Sequence, residues 1–388
     1  MKKLKIGVAG LGRAFSTMAP AFADPRVEIV AAADPRPEAL QKIKRDFGAR
    51  GFPSFESLVE DREVEVIYIA TPHQFHAEQA CLAASHGKHL LVEKPMALSL
   101  QECRQMIDAA RKNRVQLIVG HSHSFDRPIL EARKIIERGA VGRVRMITAL
   151  YFTDFLYRPR RPEELVTGLG GGVVFNQAAH HVDIVRLLGG GRVKNVRAAT
   201  GAWDPARPTE GAYSCLLNFD DGCFATMVYS GYAHFDADEF CGWIAESGQR
   251  KDPARYGSTR KLLETAKDEI SLKNSRNYGG AEFRPSTETR LHQHFGPLIV
   301  SCEKADLRPL PSGVMIYADN EQRLEPLPAP ALPRAEVIDE LYGAVVEART
   351  PLHSGEWALA TMEVCLAILQ SAREQKEVAL QNQIALRT

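Results

Sequence analysis

The chain has 388 residues, more than one hydrophobic core usually supports, so we expect two domains. Its 49 Lys and Arg nearly cancel its 48 Asp and Glu, which argues against a protein that grips nucleic acid or an anionic membrane. The seven cysteines include no CxxC pair, and no apolar run reaches the length of a membrane span. We therefore expect a cytoplasmic protein whose partner is a small molecule.

Short β-rich runs alternate with helical patterns along the first third of the chain. The predicted strands cover residues 5–10, 27–34, 64–72, 88–95 and 115–122. The predicted helices cover residues 14–23, 37–48, 76–87 and 99–113. This alternation predicts right-handed βαβ units and a parallel, doubly wound α/β sheet over residues 1–121.

The pattern changes after residue 121. A long helix is predicted at 128–138, followed by strand-like runs at 144–152, 195–203, 213–219 and 223–232. Such a series of strands predicts a second, mostly antiparallel α+β domain over residues 122–388. Residues 248–280 are polar with little apolar periodicity and are interpreted as a surface excursion, whereas the tail from Arg334 returns to helix.

A glycine-rich turn follows the first predicted strand. Gly10 and Gly12 would let the backbone approach a pyrophosphate, although Phe15 stands where a third glycine is usual. Asp34 ends the second strand, where an acid hydrogen-bonds the adenosine ribose and repels a 2′-phosphate, so NAD is favoured. Arg36 could offset part of that repulsion, which keeps NADP possible. A glycine turn without any ligand is the alternative.

Two further motifs follow the third and fourth strands. The small residues and proline of ATPHQFH (70–76) would let the chain pass beneath a dinucleotide, but they also suit a plain strand-to-helix turn with His76 near the helix start. VEKP (92–95) places Lys94 at the ligand edge of the sheet, where a buried lysine requires a partner charge or a chemical role. An exposed loop lysine is the alternative.

Two further stretches, at residues 121–123 and 170–183, contain closely spaced histidines. GGGVVFNQAAHHVD (170–183) suits a metal site, a proton-transfer histidine or an ordinary helix start. His121 and His123 lie two apart on a strand and point the same way, so with His180 they could form a metal triad. Alternatively, these histidines contact the substrate or have a purely structural role.

An arginine-rich loop precedes the triple glycine. Residues 153–165 carry Arg158, Arg160 and Arg161 between prolines. Arginine forks bind carboxylates bidentately, which predicts an acidic substrate. The alternatives are a solvated loop or an arm that grips a neighbouring subunit.

In order and spacing, GVAGLGR, Asp34, ATPHQFHAE, VEKP and GGGVVFNQAAHHVD resemble the Gfo/Idh/MocA oxidoreductases over nearly the whole chain. The resemblance implies an N-terminal Rossmann domain and a C-terminal α+β domain whose large open sheet commonly forms a dimer interface. A homo-oligomer, dimer or tetramer, is therefore expected. The resemblance also implies an NAD(P)-dependent enzyme that moves a hydride between a hydroxyl-bearing carbon and a nicotinamide. That chemistry needs no metal, and Lys94 would repel a cation.

The resemblance also assigns residues. Lys94 would lie by the substrate hydroxyl and the nicotinamide ribose, His180 matches the family histidine, and Asp183 matches the trailing acid. Asn176 replaces the family's first aspartate and cannot take a proton, so acid–base work would rest on His180 with Lys94. The implied catalytic set is Lys94, His180 and Asn176. The implied cofactor-binding set is Gly10, Gly12, Arg13, Ala14, Asp34, Arg36, Thr71, Pro72, His73, His76, Glu93 and Lys94. The implied substrate-binding set is His123, Tyr157, Arg158, Arg160, Arg161, Asn176 and His180.

The arginine loop and FNQAAHHVDIVRLL look like a narrower group, the bacterial dehydrogenases that oxidise 4,5-dihydro-4,5-dihydroxyphthalate to 4,5-dihydroxyphthalate. His180 or neutral Lys94 would accept the hydroxyl proton as the hydride leaves, and the product would aromatise. One alternative is a sugar or cyclitol dehydrogenase. Another is a non-catalytic NAD-binding sensor in which Asn176 marks lost chemistry, and a third is a metal hydrolase built on the histidines.

Overall fold

The computed structural model describes residues 2–266, 268–284 and 290–386. Its described residues form two compact units. The first unit comprises residues 2–121, 268–284 and 332–359, and the second comprises 122–266, 290–331 and 360–386. Two segments from the second half of the chain thus belong to the unit built by its first third.

The first unit is built on a parallel six-stranded sheet. Its strands are β1 (Leu4–Ala9), β2 (Val27–Ala33), β3 (Arg50–Phe52), β4 (Val66–Ile69), β5 (His89–Val92) and β6 (Leu117–Val119). Their order is β3-β2-β1-β4-β5-β6, with every neighbouring pair parallel. The predicted doubly wound sheet is confirmed. The short and mostly exposed β3 was not predicted, because it carries too few buried residues to produce an apolar run.

Helices connect these strands and continue through the second half of the chain. They are α1 (Arg13–Met18), α2 (Pro37–Phe47), α3 (Phe55–Val59), α4 (His76–Ser85), α5 (Leu100–Lys112), α6 (Arg127–Glu137), α7 (Ala179–Leu188), α8 (Ser258–Thr265), α9 (Glu269–Arg276), α10 (Ala335–Val346) and α11 (Gly355–Glu374). Local chemistry explains several ends: α2 begins at Pro37 and stops at the left-handed Gly48, and Ser99 caps α5. Among the described residues, no helix has the length and apolarity needed to cross a membrane.

The second unit is built on a nine-stranded sheet. Its strands are β7 (Val144–Phe152), β8 (Val193–Gly201), β9 (Ala212–Phe219), β10 (Phe224–Ser230), β11 (Leu298–Cys302), β12 (Ala305–Leu310), β13 (Gly313–Ala318), β14 (Gln322–Pro326) and β15 (Val378–Ala379). The order is β14-β13-β12-β11-β7-β10-β9-β8-β15, and only the β7–β10 pair among these is parallel. The predicted large, mostly antiparallel sheet is confirmed.

One face of this sheet is covered by helices. Helices α6 and α7 contact strands β7, β12 and β13. Exposed apolar side chains alternate with buried residues at Leu216 of β9, Phe224 of β10 and Ile299 of β11, and Tyr317 and Leu324 are exposed on β13 and β14. A homo-oligomer formed through the sheet stays a prediction.

The interpretation of residues 248–280 as a surface excursion fits helices α8 and α9, which contain no buried residue, but not the anchored Tyr278. Helices α8 and α9 form there, and residues 268–284 pack within the first unit. Tyr278 is only 2% exposed, and its hydroxyl donates to Asp46 Oδ2 at 2.6 Å. The anchoring contacts lie more than two hundred residues away along the chain, so local periodicity could not reveal them.

Candidate active site

The glycine turn lies where the strand order of the first sheet reverses, beside the carboxyl end of β1. Doubly wound sheets bind ligands at this point. Gly10 has φ +88°, and a Cβ there would lie 2.7 Å from the carbonyl oxygen of Ala70, so the position requires glycine. A Cβ at Gly12 would meet nothing within 4 Å, which leaves space beside the turn. Arg13 is exposed and Ala14 is half-buried at the start of α1.

The carboxylate of Asp34 lies at the end of β2 and is almost fully buried. It accepts the backbone N–H of Leu11 at 2.7 Å and the backbone N–H of Arg36 at 2.9 Å. The Arg36 guanidinium also pairs with it, with Nε 3.0 Å from Oδ1. The acid predicted to meet the ribose thus lies at the end of β2 with Arg36 directly against it, and its contact with the ribose stays a prediction.

The loop after β4 is held from behind by His76. This ring is fully buried, with Nδ1 3.0 Å from the carbonyl oxygen of Pro95 and Nε2 3.0 Å from that of Thr71. Burial lowers the pKa of His76, which favours its neutral form. His73 and Pro72 are half-buried, and the His73 ring packs at 5.7 Å against His76. His76 thus links the loop after β4 to the loop after β5, which is a positioning role.

Glu93 and Lys94 follow β5. The Tyr68 hydroxyl donates to Glu93 Oε1 at 2.5 Å, and burial raises the pKa of this carboxyl. Glu93 is therefore engaged within the sheet. Lys94 is half-buried beside it at the ligand edge, so it is the residue of this motif with the better access to a ligand.

These residues fit a bound dinucleotide. Gly10 permits close backbone approach, Gly12 leaves space, and Asp34 presents a carboxylate at the end of β2. Direct contact with the cofactor stays a prediction for each residue of the cofactor-binding set.

In the second unit, helix α7 carries His180 and Asp183 one turn apart. Asp183 is buried and accepts the hydroxyls of Ser124 and of Thr361, the latter at 2.9 Å. The Thr361 hydroxyl in turn accepts a hydrogen bond from Nη1 of the buried Arg186 at 2.7 Å. Asp183 thus holds α7 in place through neighbouring elements rather than offering its carboxylate to a ligand.

The adjacent histidines of α7 have different surroundings. His181 Nδ1 lies 2.8 Å from the Tyr213 hydroxyl, and its ring packs at 4.7 Å against Phe295. Burial lowers the pKa of His181 to about 3, so it is a neutral core residue. His180 packs on the other side, with its ring 4.9 Å from Phe295 and 4.7 Å from His123. The two do not form a shared pair of metal ligands.

His123 is the centre of a buried charged group, which we call the His123 cluster (His123, Asp126 and Glu246). Its Nδ1 lies 2.6 Å from Asp126 Oδ2, and its Nε2 lies 3.3 Å from Glu246 Oε1. Burial by itself lowers the pKa of His123, but the two carboxylates outweigh that effect and raise it to about 9. His123 is thus an imidazolium at neutral pH. Neither acid was identified from the sequence. Asp126 lies within GHSHSFDRP but was not considered, and no local motif marks Glu246 as a partner of His123.

The backbone of His123 also contacts the predicted catalytic histidine. Its N–H donates to His180 Nδ1 at 3.4 Å. A ring nitrogen that accepts a hydrogen bond carries no proton, so neutral His180 has its proton on Nε2. In that form Nε2 is a hydrogen-bond donor.

Asn176 lies in the turn before α7. Its Nδ2 donates to the carbonyl oxygens of Gly170 at 3.1 Å and Gly172 at 2.8 Å. These two bonds require an amide, since a carboxylate has no proton to donate. The replacement of the family aspartate by Asn176 therefore has a local structural reason, and its catalytic role stays a prediction.

Glu210 supports the same turn and was not identified from the sequence. Its buried carboxylate accepts the Val174 N–H at 3.1 Å and the hydroxyls of Thr209 and Thr167. It occupies the space that a side chain at Gly172 would need, and burial raises its pKa.

Changing Asn176 to Asp is expected to destabilise the protein by about 1–3 kcal/mol, because two backbone carbonyls lose their donor and face a carboxylate. Urea unfolding of purified protein measures the change. Asn320→Asp, at an exposed amide, is the matched control and should be nearly neutral. An Asn176→Asp variant as stable as the control would contradict this account of the turn.

The arginine loop packs on an aromatic ring. The Arg160 guanidinium lies 3.7 Å from the ring centre of Phe155 and donates to that residue's carbonyl oxygen at 2.6 Å. Arg158 is 5.5 Å from the same ring and 44% exposed, with Asp154 3.6 Å away. Arg161 pairs instead with Glu163 at 3.1 Å and with Glu164 at 3.6 Å.

Tyr157, from the same loop, is half-buried. The guanidinium of Arg260 lies 4.1 Å from its ring centre and donates to the carbonyl oxygens of Tyr232 and Ala233. Arg260 comes from α8 and was missed by sequence reasoning, which treated that region as a surface excursion.

A glycine turn with an acid at the end of β2, on a parallel Rossmann sheet, is typical of NAD-binding proteins. Residues 4–121 match the oxidoreductase family with an NAD-binding Rossmann fold, and residues 129–245 match the GFO/IDH/MocA C-terminal domain. The chain belongs to the Gfo/Idh/MocA family.

Three relatives illustrate the similarity. A 1-carboxy-3-chloro-3,4-dihydroxycyclohexa-1,5-diene dehydrogenase of Comamonas testosteroni is 48% identical over 380 residues, 96% of each chain. A solved structure of a Bordetella bronchiseptica RB50 protein named as a dehydrogenase is 42% identical, with a TM-score of 0.93 over 97% of this chain and 100% of that one. The WlbA dehydrogenase of Bordetella pertussis, solved with NADH and UDP-GlcNAcA, shares the fold at 22% identity, with a TM-score of 0.68 over 98% of this chain and 99% of that one. The chain is thus an NAD-dependent dehydrogenase.

Proposed function

We propose that this dehydrogenase oxidises a carboxylated cyclohexadienediol, and that its substrate is the cis-diol 4,5-dihydro-4,5-dihydroxyphthalate. The observation that carries the proposal is the 48% identity, over 96% of both chains, to a dehydrogenase named for a carboxylated dihydroxycyclohexadiene. The product would be 4,5-dihydroxyphthalate.

The second unit offers groups suited to a carboxylated ring. Arg158 and Arg160 hold cationic guanidiniums over the ring of Phe155, and guanidinium forks bind carboxylates bidentately. The Arg158 side chain is 44% exposed, so we propose that it takes a substrate carboxylate. Arg161 is paired with two glutamates and is the weaker candidate.

When bound, NAD supplies the acceptor for the hydride that leaves the carbinol carbon. We propose that neutral Lys94 takes the hydroxyl proton and that the resulting ammonium stabilises negative charge on the oxygen. His180, with its proton on Nε2, would donate a hydrogen bond to that oxygen, which refines the sequence-based choice between His180 and Lys94. The hydroxy-dienone formed then tautomerises to a catechol: its remaining carbinol carbon loses a proton, and its carbonyl oxygen gains one. Aromatisation favours the oxidation.

A substrate panel tests the proposal. NADH formation is followed with the dicarboxylated dihydrodiol, a monocarboxylated dihydrodiol, the uncarboxylated benzene dihydrodiol and myo-inositol. We expect the highest kcat/KM with the dicarboxylated diol and the lowest with the uncarboxylated ring and the polyol. Preference for the monocarboxylated diol would overturn the phthalate assignment but retain the substrate class. Preference for the polyol would favour a cyclitol dehydrogenase, and NAD binding without any turnover would favour a sensor.

Arg158→Leu is expected to raise KM for the carboxylated diol about 10- to 100-fold with a smaller change in kcat, because a charge-assisted bond present in both ground and transition states is lost. The matched control is Arg161→Leu, whose guanidinium is paired with Glu163 and Glu164 and should change KM little. Steady-state kinetics with both variants measures the effect. Equal effects of the two substitutions would contradict the role given to Arg158.

A further inference from the structure

A segment from the second half of the chain packs against α2 and contacts Arg36, the neighbour of the acid predicted to meet the adenosine ribose. Tyr278 is anchored by its hydroxyl bond to Asp46, and its ring meets that of Phe15 edge-on at 4.9 Å. The Lys42 ammonium lies 5.2 Å from the same ring. Both Asp46 and Lys42 belong to α2, the helix that follows Asp34 and Arg36.

The next residue, Gly279, brings the segment's backbone against α2. It has φ +83°, and a Cβ there would lie 2.6 Å from the Cα of Ala39. Only glycine permits this approach, since any side chain would push the segment away from the helix. The contact is thus tight as well as buried.

This segment also holds Arg36. The guanidinium donates Nη1 to the carbonyl oxygen of Tyr278 at 3.3 Å and Nη2 to that of Leu11 at 2.8 Å. Nε and Nη2 also donate to Asp34 at 3.0 and 3.2 Å. The Arg36 guanidinium therefore donates four hydrogen bonds to acceptors of the protein itself, which orient it toward Asp34, Leu11 and Tyr278.

We propose that residues 268–284 determine coenzyme choice by holding Arg36 on Asp34, so that this arginine does not serve a 2′-phosphate. Arginine beside the ribose site is a natural phosphate ligand, because its fork binds phosphate bidentately. A guanidinium that already donates four hydrogen bonds to Asp34, Leu11 and Tyr278 gains little by turning to a phosphate. Asp34, meanwhile, keeps the negative charge that repels one.

Weakening the segment is expected to release Arg36 and to admit NADP. Equilibrium binding of NAD and NADP to the purified full chain, by calorimetry, measures the effect without any substrate. Tyr278→Ala should tighten NADP binding about 10-fold relative to NAD, the scale of one charge-assisted hydrogen bond. Gly279→Ala, which forces the segment off α2, should shift the ratio of dissociation constants in the same direction.

The double variant Arg36→Ala/Tyr278→Ala tests whether the gain passes through Arg36, and it should lose the added NADP affinity. Ile270→Ala, on an exposed position of α9, is the matched control and should leave the ratio unchanged. Only a variant of Tyr278 or Gly279 that still binds NAD and unfolds cooperatively is informative. If the ratio of the NADP and NAD dissociation constants is unchanged in such a variant, the proposal is overturned. A gain that persists without Arg36 would overturn it too. Neither result depends on which diol the enzyme oxidises.

Discussion

Lys94→Ala is expected to lower kcat about 10²- to 10⁴-fold, the usual contribution of a positioned proton-transfer group. The residue is half-buried at the end of β5, beside the buried Glu93, at the edge where Rossmann sheets bind ligands. NAD affinity should change little, because the proposed role is at the substrate hydroxyl. Steady-state NADH formation with the dicarboxylated diol measures turnover, and calorimetric titration measures NAD binding.

Lys94→Arg separates the two parts of the proposed role. A guanidinium keeps the positive charge but does not accept a proton near neutral pH, so kcat should remain low. Lys112→Ala, at an exposed lysine of α5, is the control for general effects of removing a lysine. Turnover retained in Lys94→Ala would refute the role of this lysine, and turnover retained only in Lys94→Arg would reduce that role to electrostatics.

The stability contributed by His123 is expected to fall as the pH rises from about 6.5 to about 9. The folded-state pKa of His123 is raised to about 9 from the ordinary 6.5, because the attraction of Asp126 and Glu246 exceeds the cost of burial. A raised pKa means that the folded protein binds the proton more tightly than the unfolded chain does. The contribution is thus fully present below pH 6.5 and lost as the imidazolium deprotonates. The loss is on the order of 3 kcal/mol.

Urea unfolding across this pH range, compared with His123→Gln, isolates the effect from other titrating groups. The difference in unfolding free energy between the two proteins should shrink toward high pH. Glu246→Gln keeps the histidine but removes one of its carboxylates, so the folded-state pKa should be lower, and the loss of stability should be smaller and end at a lower pH. A difference between wild type and His123→Gln that does not vary with pH would contradict an imidazolium at this position.

Much of the fold could be predicted because its signals are local. Parallel strands buried on both faces produce the apolar runs at β1, β2 and β4, and glycines and prolines mark where those runs end. Asp34 and Lys94 were identifiable for the same reason, since each ends a recognisable strand. The strands β11 to β14 were not identified. They are short, and exposed residues interrupt their apolar patterns.

Other assignments depended on orientation, which spacing alone does not determine. His76 was predicted to bind the cofactor; its ring is fully buried with both nitrogens 3.0 Å from loop carbonyl oxygens, and contact with the cofactor stays a prediction. The two histidines of α7 are adjacent in sequence, but a helix turns successive side chains by about 100°, so His181 points into the core.

By itself the sequence determined the family, the Rossmann sheet and NAD as the cofactor, because short contiguous motifs carry all of these. Only the tertiary structure decided which charges meet. His123 contacts Glu246, which lies 123 residues away along the chain, and Arg36 contacts the Tyr278 carbonyl, which lies 242 residues away. The physical reason is that such pairs form when distant elements pack together, so neither partner leaves a periodic or local trace in the chain.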